Sequence, residues 1–201
     1  MFAALFYGVL ALSSLYMKTF LNELNISSTL FGYIFAGASI AASIGSVVQD
    51  KISNRFRNQT LSIVAITFIA GFIFLGVTSL ITKNHSVLLT AATIVYLLQM
   101  FIRGAYRIII KSYISNYTTS LIRSKLMSVY YLAEHLGSAA LLFITSSLLD
   151  TVPIGLVYIL SGFVLSVLLI AVLSYMETRV GLKPHQYGKL DRIDLQEKNK
   201  T

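Results

Sequence analysis

Glu134 and His135 stand side by side inside an apolar run from Leu126 to Leu149. An ionised carboxylate in such a run costs about 2.5–3.5 kcal/mol on insertion scales. It persists when it carries a proton or faces a cation, and an acid that alternates between those states suits proton coupling. If the helix enters the membrane near Lys125, Glu134 lies nine residues in. At 1.5 Å per residue that is about 13–14 Å, near mid-bilayer. Adjacent helical positions point about 100° apart, so Glu134 and His135 need not touch. The plainer alternatives are an acid held protonated or hydrogen-bonded between helices, and one whose partner stands on another part of the assembly.

Arg103 and Arg107 are four apart and share a helix face, with Gly104 between them. Arg103 is 17 residues beyond Ser86, about 25 Å along a helix and so near the inner interface. Snorkelling to headgroups is one reading; an anion site at the inner mouth of a cavity is the other. Tyr96, Gln99 and Tyr106 add polar groups to the same stretch. Asp50, Lys51, Arg55 and Arg57 form a charged group at the end of another apolar run. Basic residues there hold a loop in the cytoplasm, but that does not explain the acid. The Asn25-Ile26-Ser27 sequon is short enough to arise by chance.

Other chemistries find no support. There is no cysteine, and the three histidines, His85, His135 and His185, lie far apart with no metal-ligand spacing. Neither a Gly-x-Ser-x-Gly elbow nor a His-Glu-x-x-His pair occurs. The sequence therefore reads as a non-enzyme without a cofactor. The net charge of +8 raises nucleic acid as a partner. The cations, however, sit in short gaps between apolar runs and in the tail rather than on a polar surface, which argues against it.

The elements that hold these residues are membrane spans. The chain is 56% hydrophobic and 12% charged, where a soluble domain carries about 25% charged residues. Six apolar stretches appear, at about 1–17, 30–48, 61–82, 86–107, 126–149 and 152–176. A span needs about 20 apolar residues. The first lacks the basic start and small-residue cleavage site of a signal peptide and reads as a retained span. Alternate gaps are rich and poor in Lys and Arg, with fourteen of the sixteen in the rich set. Six crossings with both termini in the cytoplasm produce that pattern. The expected fold is all-α, a polytopic six-helix membrane bundle over residues 1–178. A polar, motif-free cytoplasmic tail, whose composition favours disorder over a packed fold, follows at 179–201.

In the second span Gly37, Ala41 and Gly45 recur every four residues, with Ala38, Ala42 and Ser46 beside them. Such a face permits close backbone approach by another helix. It serves ordinary packing within the bundle or a sliding contact between two bundles.

The segment from Gly45 to Arg57, with Asp50, Lys51 and a basic cluster, resembles the signature loop of the major facilitator superfamily. That loop joins the second and third helices of each six-helix half, and this segment follows the second span. Ser46 and Ser53 stand where the family usually has Gly, a decay typical of the copy in the second half. Tyr113–Asn116 and Ser120–Ser128 are similar to the loop before the eleventh helix of many bacterial members, and the first span through Gly32 to the seventh-to-eighth helix region. The resemblance covers about residues 1–178 and implies the C-terminal half of a secondary transporter in the cell membrane. It further implies alternating access around a small-molecule substrate, with Asp50, Lys51, Arg55 and Arg57 as a latch favouring one access state. Its partners would be lipid and a second six-helix half, either an N-terminal half or another copy. The alternatives are a six-span substrate-capture subunit of an energy-coupling-factor importer and a non-transporting remnant. Substrate, direction and coupling ion are not legible, because one scaffold carries many cargoes.

Overall fold

Inside a bilayer the backbone has no water to bond, so each apolar stretch satisfies its own N–H and C=O groups as a helix. The computed structural model describes residues 2–56, 60–116, 120–149 and 151–180. They form α1 (Phe2–Glu23), α2 (Ser28–Phe56), α3 (Thr60–Ile81), α4 (His85–Asn116), α5 (Ser120–Leu149) and α6 (Ile154–Val180). No strand occurs among the described residues. Four stretches are long and apolar enough to cross a membrane: Ser28–Ile52, Ser62–Ile81, His85–Lys111 and Ser124–Leu149. Ile154–Leu168 is a shorter apolar helix.

The helices outrun the apolar stretches. α2 continues through Asp50, Lys51 and the backbone of Arg55 to Phe56, so these residues stand on a helix and not in a loop. Arg57 and the tail from Gly181 onward lie outside the described residues. α4 has 32 residues, about 48 Å of helix against about 30 Å of hydrocarbon. Once outside lipid, charged side chains are solvated while the helical backbone bonds continue, so the charge boundary does not end the helix.

Local chemistry sets the outer turns. After α1, Asn25 takes φ 49°, the left-handed conformation that Asn tolerates and that ends helices. Ser27 Oγ then accepts from Leu30 N at 3.3 Å and caps α2. Asn84 Oδ1 accepts from Ser86 N at 3.0 Å and caps α4. Pro153 precedes α6, where its missing N–H costs nothing.

Packing is dominated by three helix pairs, α2 with α4, α1 with α5 and α3 with α6. Lesser contacts join α3 to α4 and α1 to α6. Exchanging α1 with α4, α2 with α5 and α3 with α6 turns this set of pairs into itself. The bundle is thus two three-helix repeats that swap partners, the arrangement of transporter folds built from inverted repeats.

Glycine sets the closest of these contacts. A Cβ on Gly45 would overlap the Phe101 carbonyl oxygen, and one on Gly104 would overlap the carbonyl of Ala42. The α2 and α4 backbones therefore touch. Gly37 faces Leu97 Cδ2 of α4 at 3.5 Å. Gly37 and Gly45 accordingly face α4 within the bundle. The core between α1, α3 and α6 is aromatic. Tyr16 meets Phe72 and Tyr158 edge-on at ring separations of 5.9 and 5.3 Å.

Candidate functional site

Most polar groups of the spans settle their own hydrogen bonds. Ser39, Ser43, Thr67, Thr78, Thr90 and Thr93 each donate to a carbonyl one turn earlier. The groups that instead reach across helices gather where α1, α4 and α5 meet.

At mid-level of α1, Ser13 Oγ donates to Gln99 Oε1 on α4 at 2.5 Å. Gln99 is 3% exposed, and its Nε2 is buried without a partner. Gly71 of α3 leaves room for it, since a Cβ there would sit 3.1 Å from Nε2. One turn away on α4, Arg103 Nη1 lies 3.5 Å from Ser14 Oγ and 3.9 Å from Met100 Sδ. Ser14 also lies beside the Tyr96 hydroxyl. Arg103 thus lies against the middle of α1. Tyr16 pairs with Ser161 Oγ of α6 at 2.8 Å.

A second group lies one further turn along α4. Glu134 of α5 is 3% exposed and accepts a hydrogen bond from the Tyr130 hydroxyl one turn earlier on the same helix. Arg107 and Lys111 are the cations whose charge acts on it, and the His135 ring stands beside them. The Arg107 guanidinium lies 5.8 Å from the Tyr7 ring centre, and the Lys111 ammonium 5.9 Å from that of Tyr131. His135 is exposed and meets Tyr7 edge-on at 5.9 Å. Glu134 points into the bundle and His135 out of it, as adjacent helical positions do.

Arg103, Arg107, Glu134 and His135 are therefore brought to one wall. Asp50 and Lys51 are not among them and are exposed on α2. Asp50 Oδ1 accepts from Gln49 Nε2 at 2.5 Å and is exposed. Sequence reasoning missed Tyr130, Tyr7, Ser13, Ser14 and Lys111. Only Tyr130 left a signal, four positions before Glu134 on the same helix face. An apolar groove of about 480 Å³ between α3 and α4, lined by Phe74, Ser86, Val87, Thr90, Ala91 and Ile94, holds no charged group.

The described helices thus form a bundle of two partner-swapping triples with cations and one acid on a shared wall. The family model described as Major Facilitator Superfamily matches residues 1–193. The chain belongs to that superfamily. No curated protein and no solved structure matches the chain significantly. As a major facilitator it is a multi-pass membrane protein in contact with lipid, of a family of transporters rather than enzymes. The exposed Ile66 and Phe74 of α3 and Phe163 and Val167 of α6 suit that surrounding.

The Ser13–Gln99 bond gives a test of the wall's construction. Ser13→Ala leaves both ends of the Gln99 amide unpaired. It is expected to cost about 0.6 kcal/mol, and at most about 1.7, the range for hydrogen bonds between membrane helices. Gln99→Met, which removes the buried amide altogether, should cost less than Ser13→Ala. Thermal unfolding of both variants in detergent ranks them.

Proposed function

We propose that this chain is one half of a secondary transporter that moves a small solute by alternating access and couples it to protons through Glu134. One observation carries the reading: a buried carboxylate bonded to Tyr130 and acted on by Arg107 and Lys111 at the junction of three helices. An acid so placed can trade its charge partner for a proton as the helices shift, and intramembrane acids of this kind mark proton relays.

The second wall of the site comes from another six-helix bundle, either a separate half or a second copy. Support comes from α2 and α5, the least enclosed of the long spans at 17% buried each. Their outer faces mix apolar residues with Gly32, Ala36, Ser39 and Ser43 on α2 and Ser128, His135, Ala139 and Ser146 on α5. Lipid does not require small residues there; close packing by helices does. In this reading both termini lie on the cytoplasmic side of the cell membrane, which the bias of Lys and Arg toward alternate gaps supports.

The end of α2 is the latch. Asp50 meets only the Gln49 amide among the described residues, and its carboxylate is free to engage basic groups or a helix N-terminus of a facing bundle. A contact of that kind is worth about 0.3–1 kcal/mol, enough to bias two access states of similar energy. Asp50→Asn is expected to change transport rate by about two- to fivefold, the kinetic equivalent of that energy, with expression unaltered. Proteoliposome uptake matched for protein content checks it, and unchanged kinetics would remove the latch. For the function as a whole, the experiment is reconstitution with a solute panel under an imposed pH gradient. Solute movement that ignores the gradient would refute coupling, and no movement of any solute would refute transport.

A further inference from the structure

We propose that the wall between α1 and α4 binds a small solute bearing an oxyanion, a carboxylate or phosphate, with Arg103 as its anchor. This names the substrate class of the site and rests on the transporter reading above.

Arg103 carries an unbalanced charge. Arg103 is half-buried, and its contacts are the Ser14 hydroxyl at 3.5 Å and the Met100 sulfur at 3.9 Å. Both are neutral, and no acid among the described residues pairs with it. A guanidinium cannot shed its charge, and it presents a fork of five donors suited to carboxylate and phosphate. Its contact Ser14 stands nine residues, about 13–14 Å of helix, before the end of α1 at Glu23, well inside the span. Intramembrane cations left without a partner mark the path of an anion.

The neighbours share its sign. Arg107 and Lys111 follow at one-turn intervals along α4, and Lys18 stands one turn beyond Ser14 on α1. Glu134 is the one acid among the described residues to face this ladder, and the cations acting on it are Arg107 and Lys111, not Arg103. The site thus keeps a positive excess whether or not Glu134 holds a proton. The Ser14 and Tyr96 hydroxyls beside Arg103 can each donate to a bound oxygen. A neutral solute would leave the guanidinium unpaired, and a cation would meet it with like charge.

The test uses the whole chain, purified in a maltoside detergent, with thermal unfolding followed by circular dichroism at constant ionic strength. Chloride is exchanged for sulfate, inorganic phosphate, succinate or citrate, with glucose and choline as neutral and cationic controls. At least one oxyanion is expected to raise the transition temperature saturably, with neither control doing so. Arg103→Gln should weaken that effect about tenfold or more, the loss of a charge-assisted contact. Arg103→Lys, which keeps the charge and gives a second reading where the Gln variant does not fold, should weaken it about threefold to tenfold. No oxyanion effect beyond the controls, or an effect that either variant leaves unchanged, overturns the proposal. Titration with phosphatidylglycerol separates the lipid source: stabilisation by that lipid alone, lost in Arg103→Gln, makes Arg103 a lipid contact and also overturns it. Counterflow in proteoliposomes separates the two readings. Arg103-dependent oxyanion binding without counterflow sinks transport but keeps the site. Counterflow of a neutral solute that survives Arg103→Gln keeps transport and sinks the site.

Discussion

Glu134→Gln is expected to abolish proton-driven accumulation of solute while leaving exchange of solute across the membrane intact. Glutamine has the size of glutamate and keeps an oxygen for the Tyr130 hydroxyl, so the α5 contact seen for Glu134 survives. What is lost is the ability to take up and release a proton, and with it the charge that faces Arg107 and Lys111. A gradient of one pH unit supports about tenfold accumulation per coupled proton, the equivalent of 1.4 kcal/mol. The variant should fall to the equilibrium level, a tenfold loss at that gradient. Uptake into proteoliposomes with and without a pH gradient measures this directly. If the variant still concentrates solute when the outside is acidified, Glu134 is a packing residue. Tyr130→Phe is the companion experiment. It should retain accumulation but shift its pH dependence, because it removes the hydrogen bond without removing the acid.

The largest effect on folding is expected at the α2–α4 contact. Gly104→Val and Gly45→Val each place side-chain atoms where the facing helix has a backbone carbonyl, that of Ala42 and of Phe101 respectively. A flexible side chain could move aside, but a helix backbone cannot without separating the pair. Overpacking a close contact typically costs about 1–3 kcal/mol, and a backbone-to-backbone contact belongs at or above the top of that range. Gly32→Ala is the control on the same helix, since nothing lies within 4 Å of the added atom. Thermal unfolding in detergent should show a large loss for the two valine variants and none for Gly32→Ala. Equal stability of all three would mean that α2 and α4 do not meet as described.

The architecture was legible in the sequence because apolar length alone places the helices. Boundaries were less legible. Asp50, Lys51 and Arg55 read as a loop because charge marks where lipid ends, and that is not where helical hydrogen bonding ends. The Gly37, Ala41 and Gly45 face announced a close contact but not its partner. Small residues say that a backbone approaches, and only the fold says that it is α4. At the site, Glu134, Arg103 and Arg107 stood out because a charge in an apolar run is costly wherever it points. Ser13, Ser14 and Tyr7 did not, because a serine or tyrosine in a membrane helix is ordinary until a second helix brings Gln99, Arg103 or Arg107 beside it. Their role comes from α1 lying against α4, a pairing separated by almost ninety positions in the chain, as the Arg103–Ser14 contact shows.

The partner-swapped packing has a consequence for biosynthesis. α2 is complete at Phe56, but its chief neighbour α4 ends at Asn116, sixty positions later. At about 5–20 residues per second, the ribosome needs about 3–12 s to make that interval. During it the glycine-lined face of α2 must be shielded by lipid, by the insertion machinery or by a transient neighbour. α1 waits longer still, for α5. Neither three-helix repeat can settle before the other emerges, so the bundle locks only near the end of synthesis. A ribosome stalled after α3 should therefore hold three inserted helices that a protease cleaves readily, and only a chain that has released α6 should hold a resistant assembly.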